Sequence, residues 1–448
     1  MPADRPNVIV FFTDQQRWDT TGVHGNPLDL TPNFDEMARG GTHLASAFTC
    51  QPVCGPARSS IQTGMYATTT GCFVNGIRLR PGERTLAHHF GEAGYQTAYI
   101  GKWHLADKDP VPPHQRGGYD YWLASNVLEF TSHPYDCVTF DSDGNKVKLP
   151  GYRVDALTDA AIRYIDQHRQ DPFMLFLSFL EPHQQNDVDD FPPPDGYRER
   201  YAGRWIPPDL ASLGGSTQQH IAGYYGMVKR LDEALGRLRD AIKSLGLTDD
   251  TIVMYTCDHG CHFKTRNAEY KRSCHESSVR IPMAATGPGF TWGGRVEKLV
   301  SLVDVAPTIL DAASLEIPST AQGRSFMPLV RGERGEWPDE VFIQISEAQV
   351  GRAVRTRRWK YSVSAPGLEG WEKPGSDRYA EEFLYDLQSD PYELANLVGR
   401  ESHAEVAAMM RERLIRRMVQ AGEAAPTIEP APAVASGQRR VTPEEARQ

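Results

Sequence analysis

Cys54, Pro56 and Arg58 stand at alternate positions in the stretch CGPARSSIQTG, which closes on Thr63-Gly64. Packing does not ask for that pattern. Zinc sites set their cysteines in close pairs, and redox pairs follow C-x-x-C, which CQPVC does not. A chemical role for Cys54 therefore depends on what else in the chain converges on it. Four apolar runs each end on residues with chemistry. Asn7–Thr13 is followed by Asp14 and Gln15, and residues 95–100 by GKWH, with Lys102 and His104. Residues 173–180 are followed by EPH, with His183, and residues 251–257 by Asp258 and His259.

If those runs are parallel strands, their carboxyl ends share one edge, where ligand sites form in α/β sheets. The residue types then sort by task. Asp14, Gln15, Asp258 and His259 offer two carboxylates, an amide oxygen and an imidazole. Such oxygen-rich sets suit hard divalent cations, and the imidazole tilts toward Mn²⁺ or Zn²⁺. Arg58, Lys102, His104, His183 and Lys271 are donors able to hold a tetrahedral anion. A metal and a ring of cations around a nucleophile is the arrangement that transfers a phosphoryl or sulfuryl group. Taken singly, each signal has a plainer reading. Asp-His-Gly after a strand is a turn, a loop histidine bonds backbone, and a lysine is usually solvated. CDHGCH at 257–262 lacks the second cysteine pair of a zinc finger, and Cys257 should point away from a site that Asp258 faces.

The elements that must position these residues are legible as alternation. Short apolar runs, including residues 282–287, alternate with helical periodicity at 154–168, 217–245 and 304–314. This predicts an α/β three-layer sandwich with a large, mostly parallel sheet. Ser216 is the expected N-cap of the long helix, whose stripe runs Ile221, Tyr224, Val228, Leu231, Leu235, Leu238 and Ile242. Past residue 335 the runs EVFIQIS, GRAVRTRRWKYSV and EEFLYDL predict short antiparallel strands, then a helix at 403–420. The expected organisation is a catalytic α/β domain over 1–335, a C-terminal subdomain with a small antiparallel sheet over 336–422, and an extended tail over 423–448. Residues 181–216 read as a long loop of the kind that often carries function.

Composition bounds the rest. The 448 residues carry a formal net charge of −10, with no basic block suited to a phosphate backbone, so nucleic acid is excluded as a partner. No apolar run is long enough for a membrane span. The N-terminus shows no basic and apolar leader, which predicts a cytoplasmic protein, or a periplasmic one if a leader had been trimmed. Seven irregularly spaced cysteines predict reduced thiols. Homo-oligomerisation is left open.

CGPARSSIQTG matches the signature C-x-P-x-R-x-x-x-x-T-G of the type I sulfatases. NVIVFFTDQQRWD, GYQTAYIGKWH, CDHG, YKRSCHESSVRIPM and YDLQSDPYELANL also resemble that family in its usual order, from about residue 6 to 400. The family belongs to the alkaline phosphatase superfamily. The resemblance implies hydrolysis of a sulfate monoester, of a small molecule or saccharide, to alcohol and inorganic sulfate. It implies that Cys54 is oxidised to Cα-formylglycine by a generating enzyme that reads Cys, Pro and Arg on the unfolded chain. The aldehyde hydrates to a diol: one hydroxyl attacks sulfur, and the second then expels sulfate from the covalent ester. Asp14, Gln15, Asp258 and His259 would bind one divalent cation, Ca²⁺ as the first expectation and Mn²⁺ as the alternative. Arg58 and Lys102 would hold the diol, and Lys271 and His183 the sulfate, with one of the latter two protonating the leaving oxygen. His104 would take the proton in the second step, since positions two apart in an extended segment point the same way.

Many sulfatases carry paired aspartates at the first strand exit and Asp-Asn at the later one. The Asp14-Gln15 and Asp258-His259 pairs look more like the choline sulfatase and phosphonate monoester hydrolase branches. Phosphonate monoester or phosphodiester hydrolysis at the same site is therefore the alternative activity. The alternative of another class is a homologue with unmodified Cys54 that binds anions without turnover.

Overall fold

A computed structural model describes residues 5–434. Its centre is a ten-stranded sheet. Five adjacent strands are parallel, in the order Thr251–Cys257, Asn7–Thr13, Phe173–Ser178, Gln96–Lys102 and Tyr121–Ser125. The strand Asn7–Thr13 shows why it lies in the middle. All seven residues are buried, with Val8, Val10 and Phe12 in the core on one face and Ile9 and Phe11 in the core on the other. Successive strand side chains alternate in direction, so an uninterrupted apolar run fills two layers.

Helices Arg153–His168 and Thr217–Ser244 cover one face. Helices Cys54–Thr63 and Val305–Ala312 cover the other. The stripe on the long helix is buried as expected but serves two cores. Leu231, Leu235, Leu238 and Ile242 lie against the sheet, while Ile221, Tyr224 and Val228 join a separate cluster with Phe191 and Phe263. Ser216 does not cap with its side chain; its hydroxyl donates to Phe263 O at 3.3 Å. The expected long loop 181–216 contains two short helices, Tyr197–Tyr201 and Pro208–Ser212.

The run expected as a strand at 282–287 narrows to Ala284–Thr286 and pairs antiparallel with Thr251–Cys257. No long crossover helix carries the chain back to the opposite edge. Between these strands the chain stays at the carboxyl edge, so it re-enters the sheet in the reverse direction.

A second sheet of five strands begins at Glu340, in the order Glu340–Ile345, Gly351–Thr356, Trp359–Ser364, Arg378–Asp386 and Thr427–Glu429. The first three pairings are antiparallel, as expected, but Thr427–Glu429 pairs parallel with Arg378–Asp386. Helix Ala404–Gln420 is the crossover that makes a parallel return feasible. The expected tail thus starts as a strand of this sheet, and its residues 435–448 lie outside the described part of the chain. Among the described residues no helix is long and apolar enough to cross a membrane. All seven cysteines are free and buried.

Candidate active site

Cys54 is the first residue of helix Cys54–Thr63, every residue of which is buried. Pro56 sits in the first turn, where its missing N–H leaves no bond unmade. Gly55 N donates to Asn75 Oδ1 at 2.8 Å. The Cys54 Sγ marks where the reacting oxygen of a modified residue would begin. Lys271 Nζ lies 2.9 Å from it, His259 Nε2 3.3 Å and Asp14 Oδ1 3.5 Å. Burial raises the thiol pKa, but Lys102, Lys271 and His259, with a hydrogen bond from His104, bring it well below the usual thiol range.

Asp14, Cys54, Asp258 and His259 each turn one ligand atom inward, all within 4.8 Å of one another. His259 Nδ1 is 2.9 Å from Gly260 O. A carbonyl only accepts, so Nδ1 carries the hydrogen and Nε2 presents a lone pair. Asp258 Oδ2 and Gln15 Oε1 are buried without a hydrogen-bond partner. The Gln15 amide nitrogen is turned to Gln184 Oε1 at 2.7 Å. Burial and the Asp14 charge push Asp258 up to about 7, against His259 and Arg58. Burial and Cys54 push Asp14 the same way, but Lys102, His183 and Arg58 outweigh them and hold it far below the carboxylate range. Two carboxylates, a bare imidazole nitrogen and an unpartnered amide oxygen fit a divalent cation. Cys257 is no part of this set: its sulfur accepts from Gln16 N at 3.0 Å and faces His259 O at 3.0 Å.

The cations are arranged differently from expectation. Arg58 Nη2 pairs with Asp14 Oδ2 at 2.9 Å, and Nη1 bonds Lys102 O and Ser178 Oγ at 2.8 and 2.7 Å. These bonds orient Asp14 rather than Cys54. The guanidinium lies beneath the carboxylate, over the Phe12 ring at 5.2 Å. Lys102 Nζ bridges Asp14 Oδ2 and Glu129 Oε1, both at 2.9 Å. Its charge acts on Cys54 from that position. Gly101 makes this close approach possible: a Cβ there would fall 1.8 Å from Ser178 O, and its φ is +107°. Lys271, expected at the sulfate, touches the Cys54 sulfur itself and also His183 Nε2, at 3.1 Å.

His183 Nδ1 is 2.6 Å from Gln184 O, so it too is protonated at Nδ1, leaving Nε2 to accept from Lys271. Burial and the Lys271 charge lower its pKa. His104 does reach the site beside Cys54, but by another route than an extended segment. Its φ is 62°, its N–H donates to Asn126 O at 2.7 Å, and its Nδ1 has no partner. The left-handed backbone turns the ring inward.

Sequence reasoning missed Glu129. Lys102, whose charge opposes burial, holds its pKa at about 2, with His104 and His183 adding to the effect. Glu129 follows Tyr121–Ser125, a fifth parallel strand whose exit joins the same edge. The apolar run YWLAS was the available signal. Asn75 and Ser178 carried no local signal.

Residues 6–315 match the family described as Sulfatase, and residues 268–420 match N-sulphoglucosamine sulphohydrolase, C-terminal. The chain belongs to the sulfatase family and is a sulfuric ester hydrolase. It is 28% identical over 440 residues to an ulvan-active sulfatase of Formosa agariphila, covering 94% of this chain and 82% of that one. It is 25% identical over 489 residues to an N-acetylglucosamine-6-O-sulfatase of Bacteroides thetaiotaomicron, covering 90% and 84%. The fold matches a solved structure in complex with its substrate D-glucosamine-2-N,6-O-disulfate. There the TM-score is 0.77 at 23% identity, over 93% and 98% of the two chains.

Proposed function

We propose that this site hydrolyses the sulfate ester of a saccharide through Cys54 converted to formylglycine. The observation that carries the reading is the convergence of Lys271 Nζ, His259 Nε2 and Asp14 Oδ1 on the Cys54 Sγ at the start of a buried helix. The saccharide is favoured by the names of the relatives, which also favour sulfate over phosphonate or phosphodiester. When formed, the hydrated aldehyde at position 54 supplies one hydroxyl to attack sulfur and a second to release it. Asp14, Gln15, Asp258 and His259 would hold one divalent cation, Ca²⁺ by the oxygen-rich set or Mn²⁺ as the alternative. When bound, that ion supplies Lewis acidity toward a sulfate oxygen and the attacking hydroxyl.

The remaining work falls to side chains. Arg58 and Lys102 fix Asp14 and keep it ionised, so that it stays aimed at Cys54. Lys271 holds a sulfate oxygen and carries the proton for the leaving oxygen, because His183 presents only a lone pair toward it. His183 orients that ammonium and opposes its rotation away. His104, whose side chain reaches Cys54, takes the proton in the second half-reaction. Two measurements test the reading. Intact mass should show the native protein about 18 Da lighter than its sequence by the stoichiometry of thiol-to-aldehyde conversion. Metal-stripped and reconstituted enzyme should cleave sulfate monoesters in preference to phosphonate monoesters and phosphodiesters. The full mass with no turnover would mean an anion-binding homologue instead.

A further inference from the structure

Above the reacting groups lies a cavity of about 220 Å³. Its floor is Cys54, His104, His183 and Lys271, and its rim carries Phe130 and Trp371. These two are 66% and 51% exposed, although most large apolar side chains of the chain are buried. They come from different parts of the fold. Phe130 stands in the one-turn helix Leu128–Thr131, past the fifth parallel strand, and Trp371 on a loop of the second sheet.

The indole is held in place by built contacts. Gly370, beside it, packs so closely on the 347–349 backbone that a Cβ would lie 2.8 Å from Glu347 O. Glu347 N donates to Gly370 O at 3.0 Å. The Arg272 guanidinium lies over the indole at 5.6 Å. Arg272 is in turn fixed by Glu347 through Nε and by Glu269 at 2.6 Å. Among the described residues, the one guanidinium at this mouth is therefore already shared by two carboxylates. Lys271 is engaged below, at Cys54 and His183. Among the described residues lining the cavity, no cation is left for a second anionic group on a substrate, and the Glu269 side chain stays 51% exposed.

A pyranose offers what such a rim can use. Its C–H faces are apolar and slightly positive, and they pack on the negative face of an aromatic ring. The cavity is also smaller than the roughly 300–1,000 Å³ of sites for drug-sized ligands, which suits one ring rather than a chain of them. We propose that Phe130 and Trp371 clamp a single uncharged pyranose bearing the sulfate, and that the Glu269–Arg272–Glu347 set disfavours sugars with a second sulfate or a carboxylate. This rests on the sulfatase reading above for the position of the sulfate.

Titration calorimetry tests it on the full chain reconstituted with Ca²⁺ and carrying unmodified Cys54, so that binding is read without turnover. The titrants are a neutral hexose monosulfate, the same hexose disulfated, and inorganic sulfate. Trp371→Ala and Phe130→Ala should each lose about tenfold in affinity for the monosulfate relative to inorganic sulfate, the size of one aromatic contact. Trp371→Phe should recover most of it. The wild type should prefer the monosulfate to the disulfate, and Glu269→Gln should narrow that gap. Parallel losses for the sugar and inorganic sulfate, tighter binding of the disulfate, or no binding of the monosulfate would overturn the clamp. The mature enzyme separates the two readings. No sulfate-ester turnover with this binding pattern intact defeats the catalytic reading alone. Turnover without the pattern defeats the clamp alone.

Discussion

Two buried clusters of charge meet the same stretch of chain, residues 257–276, and they are built on opposite principles. At its start, Asp258 and His259 join Asp14, Arg58 and Lys102 around Cys54. At its end, Glu276 joins Arg355, Lys360 and Glu393, where the second sheet meets this stretch. In the second cluster Lys360 bridges Glu276 and Glu393 at 2.8 and 2.6 Å, Arg355 pairs with Glu276 at 3.2 Å, and Glu276 N donates to Glu393 at 2.7 Å. None of these four leaves a buried nitrogen or oxygen without a partner. Around the first cluster Asp258 Oδ2, Gln15 Oε1 and Glu129 Oε2 lack a hydrogen bond, and Asp258 Oδ2 has only the Arg58 guanidinium at 3.6 Å. Buried charge is costly in both places. A cluster that satisfies itself holds the second sheet to this stretch, while one that leaves acceptors open is arranged for something that arrives later.

The largest effect should come from Asp258→Ala. Cation binding and turnover should both disappear, with activity down by more than about 10³-fold, the scale of losing a principal electrostatic group. Retained stoichiometric metal, measured by elemental analysis, would break the contrast between the clusters. Next is His104→Ala. It should still release about one equivalent of phenol per site from a fast aryl sulfate and then turn over about 10²–10⁴-fold more slowly. A uniform loss without a burst in rapid-quench assays would leave His104 only a positioning role.

Glu276→Ala inverts the picture. It strands Arg355 and leaves Lys360 with Glu393 alone, and should lower unfolding free energy by about 3–5 kcal/mol in denaturant titrations. The kcat of the folded fraction should remain within a few-fold of wild type. Smaller still is the response to cation. A divalent ion at 100 times its Kd should stabilise the wild type by about 2.7 kcal/mol and Asp258→Ala by nothing. Equal shifts of Tm in both proteins would place the ion elsewhere.

The last effect is one of pH. Asp258 is pushed up to about 7 in the fold, above its ordinary carboxylate value. The metal-free fold therefore holds a proton that the unfolded chain releases. Stability from this group is full below the unfolded pKa and is lost as pH rises through about 7. Proton and cation compete for the same oxygens, so cation affinity should climb up to about pH 7 and then level off. Affinity independent of pH between 5 and 8, by calorimetry, would show that Asp258 is not the competing group.

Much of the site was readable because each strand exit brings its residues as neighbours in sequence. Asp14 follows a fully buried apolar strand, and Asp258 follows another, so parallel pairing alone sets them side by side. The signature around Cys54 is likewise local. The same rule missed Glu129 only because the strand before it, Tyr121–Ser125, was not recognised.

The sequence by itself determined the two apolar periods, and with them the layered sheet, the long helices, the carboxyl edge where the candidate site residues gather and Cys54 on a helix start. Those are consequences of side-chain alternation over short distances. Only the tertiary structure decided that Arg58 serves Asp14 rather than Cys54, that Lys271 reaches the sulfur, and that Trp371 stands over the site from the other sheet. Each of these joins residues far apart in the chain. Their distances depend on strand register, on a glycine that lets two strands approach at Ser178, and on how the second sheet docks. No local pattern of residue types carries that information.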